Sequence, residues 1–263
     1  MGEPIRLADM AWVDVYEYLQ KRRALLIPIG TCEQHGPHLP LATDLIVAER
    51  LAEALSARTQ VLVAPPINYG VNLAADYLVA GTAGVDLDCL RTMLRQVVRE
   101  WAAQGFDTFF AVTAHACSLG AESFAHETAI REALSSCMLE VKCRAYLLFP
   151  YWISCADLLT HETNAEHASE METSLLLHLW PSSVHLERVA DGSGAAPEEE
   201  EEELPAAYAV MHHMPSLDLP TPEAYESYEG TPQAGTAEKG RLIFARWVDQ
   251  LSVLMGELMA EIR

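Results

Sequence analysis

Ala24-Leu25-Leu26-Ile27-Pro28-Ile29 is an unbroken apolar run that stops at Gly30, as expected of a strand buried on both faces. Pro28 has no N–H to donate, so it belongs at the strand's end or at an irregularity. Val47, Leu51 and Leu55 then recur at one helical spacing between Leu45 and Ser56, with Thr43 and Asp44 placed to cap the helix. Val61 to Ala64 reads as a second strand, closed by Pro65-Pro66. From Asp86 to Gln104 one stripe of Leu90, Met93, Leu94, Val97, Val98 and Trp101 predicts a long helix ended by Gly105. Thr108–Thr113 predicts a third strand, Ala121–Leu134 a helix and Glu140–Pro150 a fourth strand. A short apolar helix is expected at Leu175–Trp180, and the tail from Thr236 to Arg263 reads as a closing helix. Strands and helices taking turns imply βαβ units, hence an α/β fold with a mainly parallel sheet and helices on both faces.

The chain has 263 residues, half of them apolar, which suits one large α/β domain spanning 1–263. Residues 191–235 break the pattern. They are rich in Gly, Pro, Ala and Glu and read as an irregular acidic excursion over the surface. Seventeen basic against 38 acidic residues give a net charge of −21, which excludes the basic faces that nucleic-acid binding needs. The six consecutive glutamates Glu198–Glu203 carry part of that charge, most simply as a solvated loop. No run is apolar for long enough to span a membrane, and the first residues show no secretory pattern. Six scattered cysteines without a CxxC pair read as free thiols in a reducing cytoplasm.

In open parallel sheets, ligands gather where strands end at their carboxyl side. After the first strand comes Glu33-Gln34-His35, whose Glu and His leave one face of an extended segment, and then Asp44 beyond a Pro-rich loop. After the third strand comes His115, and Glu166-His167-Ala168-Ser169-Glu170-Met171-Glu172 leads into a later helix. Such N/O donors suit Zn²⁺, Mn²⁺ or a pair of ions, since one aspartate can bridge two. Spacing alone leaves a metal site and a set of hydrogen-bonded structural residues equally open.

Pro28-Ile29-Gly30-Thr31-Cys32-Glu33-Gln34-His35-Gly36-Pro37-His38-Leu39-Pro40-Leu41-Ala42-Thr43-Asp44 resembles the long signature of the creatininase (creatinine amidohydrolase) family. Shorter matches follow at Pro65–Gly70, at Glu172-Thr173-Ser174 and at Thr236–Gly240. The resemblance implies a three-layer α/β/α domain and hydrolysis of amide-type C–N bonds. It further implies two divalent ions per chain, Zn or Mn with Fe possible, and a homo-oligomer, commonly a hexamer. Carried over, Glu33 and His35 would bind different ions, Asp44 would bridge them, and His115 and Glu172 would complete the set. His167 would be the catalytic acid/base, with Glu166 beside it orienting the imidazole or joining the transfer. His38 would orient its loop, and the acids Glu166 and Glu170 also suit a solvated first helical turn.

The family's strand-end motif N-G-H-G-G-N is replaced here by Thr113-Ala114-His115-Ala116-Cys117-Ser118. Cys117 stands where some members place a metal-binding glutamate, either as a ligand or as a small core residue. Val79-Ala80-Gly81-Thr82 departs from F-P-G-T, and Thr163-Asn164 from a Trp-Asp pair. The metal cage is retained and the substrate pocket rebuilt, so creatinine itself is not expected. Three readings follow: a hydrolase of a small amide, cyclic amide or N-acyl compound; a peptidase trimming a modified peptide in cofactor maturation; and a non-catalytic metal-binding member.

Overall fold

The computed structural model describes residues 2–72, 79–116, 125–161, 167–189 and 228–260. Its centre is a parallel sheet in the order β2-β1-β3-β4, formed by β1 (Ala24–Ile29), β2 (Leu62–Val63), β3 (Thr108–Thr113) and β4 (Arg144–Leu148). Every residue of β1 and β3 is buried, as their continuous apolar runs require. Pro28 lies inside β1, where its carbonyl accepts from Ile67 N–H at 2.9 Å. The β2 ladder has already ended at Val63 on that side, so the proline costs no regular strand bond.

Alternation along the strands divides the core in two. Leu26, Phe110, Val112 and Leu148 face α2 (Thr43–Thr59), α5 (Glu170–Leu179) and α6 (Ala237–Ala260). Leu25, Ile27, Phe109 and Ala111 face α3 (Leu87–Gln104) and α4 (Ala125–Val141). This is the expected three-layer α/β/α arrangement.

Two boundaries and one whole helix differ most from expectation. Glu140 and Val141 stay in α4, which ends at Lys142 in the left-handed region (φ 54°), so β4 begins only at Arg144. α5 starts five residues before its apolar stretch, at Glu170, and its first seven residues are all buried. α1 (Trp12–Leu19) has no counterpart in the pattern, because Trp12, Val13 and Tyr16 are exposed and only Tyr18 is fully packed. Among the described residues, no helix is long and apolar enough to cross a membrane, and the five cysteines are free. Glu166, Cys117, Thr163-Asn164 and the Glu198–Glu203 run lie outside the described residues.

Candidate active site

The polar cluster stands where the strands end at their carboxyl side. Gly30 closes β1, and a Cβ there would lie 2.4 Å from Leu45 Cα. Only glycine lets the start of α2 approach the strand end so closely. Asp44, in the first turn of α2, sends its carboxylate toward imidazoles rather than back onto the helix N-terminus. Glu33 and His35 come from the loop after β1, His115 from the loop after β3, and Glu172 from the first turn of α5. All five are at least nine-tenths buried.

Both imidazoles are fixed in orientation by main-chain carbonyls. His35 donates from Nδ1 to the Glu33 carbonyl at 3.1 Å, which turns its Nε2 toward Asp44 Oδ1 (3.4 Å) and Glu172 Oε2 (3.7 Å). His115 donates from Nε2 to the Val71 carbonyl at 2.8 Å, which turns its Nδ1 toward Asp44 Oδ2 (3.1 Å) and Glu33 Oε2 (3.2 Å). Opposite nitrogens of two histidines thus face opposite oxygens of one aspartate. Glu33 Oε2 and Asp44 Oδ2 have no hydrogen-bond partner among the described residues. Buried acceptors in that state are costly unless a cation joins them. Among the described residues, the triads Glu33/Asp44/His115, His35/Asp44/Glu172 and Glu33/His35/His167 could each hold a metal ion, and the first two share Asp44.

The electrostatics of the site point the same way. Burial opposes a charged imidazole at His35, yet Asp44, Glu172 and Glu33 outweigh it and raise its pKa to about 10. Burial likewise opposes ionisation of Asp44, but His35 and His115 hold its carboxyl far below the ordinary range. Against the same burial penalty, His115 lowers Glu33. The cage is therefore a place built for positive charge.

His167 sits just before α5, with its ring centroid 4.5 Å from that of His35. Gly36 N–H donates to Gln34 Oε1 at 3.1 Å, which leaves the Gln34 amide NH₂ to donate to His167 Nε2 at 3.0 Å. His167 thereby carries its proton on Nδ1 in the neutral form, and burial lowers its pKa. Its backbone is pinned by Glu229, whose Oε2 accepts from His167 N–H (3.0 Å) and whose N–H donates to the His167 carbonyl (2.8 Å). The end of the irregular stretch thus reaches the site's margin through Glu229 on His167 and Tyr228 on His38.

Three supporting groups left little trace in the sequence. Tyr151, in the turn after β4, donates to Glu172 Oε1 at 2.9 Å, and Ala168 N–H donates to Oε2 at 2.7 Å. Gln34 lies between the two residues singled out, and its place within the signature was the only available signal. His38 bonds Thr173 Oγ1 at 2.9 Å rather than any member of the cage. Glu170 turns away from the cage to pair with Lys239 and to accept from Thr160 N–H and His161 N–H, so it is not solvated.

Comparison with known proteins places this geometry in a lineage. Residues 8–255 match the Creatininase family model, described as creatinine amidohydrolase. The mycofactocin precursor peptide peptidase of Mycobacterium ulcerans (strain Agy99) is 32% identical, over 86% of this chain and 82% of the relative. The creatinine amidohydrolase of Pseudomonas putida is 25% identical, over 73% of this chain and 78% of the relative. A crystal structure of creatinine amidohydrolase shares the fold at a TM-score of 0.76 and 20% identity, with 97% of each chain covered. Creatininase has also been solved in a manganese form and, as a mutant, in a Zn–Zn form. From its signature, its fold and a match running almost end to end, this chain belongs to the creatininase family.

Proposed function

We propose that the chain hydrolyses an amide-type C–N bond, and that its substrate is a peptide. The observation that carries the catalytic half is Asp44, whose two oxygens face two imidazole nitrogens of opposite orientation. With two orphaned carboxylate oxygens beside them, the donors fit a pair of divalent ions, Zn or Mn. Glu33, Asp44 and His115 would hold one, and His35, Asp44 and Glu172 the other. Divalent ions held there would supply an acidified water and a polarised substrate carbonyl.

The remaining work belongs to the chain's own groups. His167, neutral and oriented by Gln34 at Nε2, would exchange that hydrogen bond to take a proton at the cage and deliver it to the departing nitrogen. Glu229 fixes the backbone from which that imidazole projects. Glu166, next in sequence, is assigned to the same proton transfer. Tyr151 and Ala168 N–H hold the Glu172 carboxylate in the orientation a ligand needs.

The peptide reading rests on the mycobacterial relatives, which match more of the chain at higher identity than the creatinine hydrolase does. The rebuilt strand-end motif agrees with a substrate other than creatinine. Assembly into a homo-oligomer, a hexamer by the family resemblance, belongs to the same proposal and is read by light scattering.

Elemental analysis should give about two Zn or Mn per chain, and Asp44→Ala should lose both. The metal-loaded protein should then cleave members of a panel of unmodified and cross-linked peptides. Cleavage of lactams or N-acyl amines alone would replace the peptide with a small amide. A purified chain without metal would overturn the catalytic reading.

A further inference from the structure

His126 looks unremarkable in sequence, a lone histidine in the first turn of α4. In the structure it is fully buried and sits against His115, with ring centroids 4.7 Å apart and an interplanar angle of 80°. Val71 N–H donates to His126 Nδ1 at 3.2 Å, so the neutral ring carries its proton on Nε2. That Nε2 reaches Thr113 Oγ1 at 3.2 Å, and the same hydroxyl oxygen accepts from His115 N–H at 3.4 Å. Val71 returns the connection, since its carbonyl accepts from His115 Nε2.

These four bonds form a closed ring: Val71 to His126, His126 to Thr113, Thr113 to the backbone of His115, and the side chain of His115 back to Val71. His115 is gripped at both ends by groups that His126 holds. Gly70 makes room for it, because a Cβ there would lie 2.6 Å from His126 Cε1 and cannot be accommodated. The ring also takes in Thr113, where the chain departs from the family's strand-end motif. Thr113 stands in place of an asparagine, and the imidazole of α4 meets its hydroxyl.

We infer that His126 is a positioning residue for the Glu33/Asp44/His115 metal site, acting through Val71 and Thr113 on the orientation of His115. The inference rests on the two-ion reading above. It assigns the altered strand-end motif to rebuilt support for the site. The carbonyl of Val71 determines that Nδ1 of His115 faces the carboxylates, and His126 anchors Val71 through its N–H. An outer hydrogen bond of this kind governs metal affinity by about ten- to a hundredfold.

The test is calorimetric titration of the metal-stripped full chain with Zn²⁺, together with the visible spectrum of the Co²⁺ form. His126→Phe fills the space without either bond. It should weaken one of the two binding events by about ten- to a hundredfold, leave the other within about twofold, and alter the Co²⁺ bands. His126→Asn retains an acceptor for Val71 N–H and should recover part of the lost affinity. Thr113→Val breaks the ring from its other side and should weaken the same event, which covers the case of a phenylalanine variant that does not fold. Two unchanged binding events in folded Thr113→Val, or in folded His126→Phe, would overturn the inference while leaving the two-ion reading in place. Wild-type chain that takes up no Zn²⁺ would overturn both.

Discussion

At the scale of single residues, the site is defined less by which side chains are present than by which atom of each is left free. The Glu33 and Val71 carbonyls each take one imidazole proton, and each leaves the opposite nitrogen facing Asp44. His167 differs, since the Gln34 side-chain amide occupies its Nε2, although it also groups with Glu33 and His35. His167→Ala should therefore keep about two metal ions per chain by elemental analysis, while turnover falls by about two to four orders of magnitude. Loss of metal in that variant would make His167 a ligand instead of an acid/base. Four of the candidate donors stood out in the sequence, because Glu33, His35 and Asp44 fall close together and His115 ends a strand, whereas Glu172 entered only through the family resemblance. The support around them did not stand out. A backbone carbonyl carries no sequence signal, and Gln34, Tyr151 and Glu229 become partners only when distant segments meet.

At the scale of elements, α5 and α6 are joined by a buried charge pair. Glu170 is fully buried and accepts from Lys239 Nζ, which also bonds Thr160 Oγ1 (2.7 Å) and the Ala234 carbonyl (2.8 Å). Burial opposes the Glu170 charge, but Lys239 and two backbone N–H groups hold its pKa below the ordinary value. Lys239→Ala leaves that carboxylate without its cation and should cost about 3 kcal/mol in denaturant unfolding at neutral pH. Because the folded-state pKa is lowered, the stabilisation is present above 4.5, the ordinary value for glutamate, and is lost as pH falls through the folded value. Glu170→Gln should accordingly destabilise at neutral pH, with the gap to wild type narrowing toward acid. A gap independent of pH would remove the ion pair from the account. Strands β1 and β3 were fully legible from their apolar runs. Helix α1 was not, since Trp12, Val13 and Tyr16 face solvent and conceal any stripe. The start of α5 was hidden by its polar first turn, whose acids are buried for a reason the pattern cannot express.

At the scale of the whole molecule, the candidate ligands belong to one half of the architecture. They come from the ends of β1 and β3 and from α2 and α5, which share a core with α6, while α3 and α4 pack on the opposite face of the sheet. Removal of metal by a chelator should lower the thermal midpoint, and returning Zn²⁺ or Mn²⁺ should restore it. An ion at a thousandfold excess over its Kd is worth about 4 kcal/mol. The shift should be absent in Asp44→Ala. Glu33 and Glu172 lie far apart in the chain but meet around Asp44, so an occupied cage acts as a removable cross-link between distant segments. Its effect on local opening is therefore one-sided. For α5 to fray from its first turn, Glu172 must leave the cage, whereas α3 can loosen without disturbing any donor. Amide hydrogen exchange should slow on loading in α2 and α5 and stay nearly constant in α3, which supplies no candidate donor.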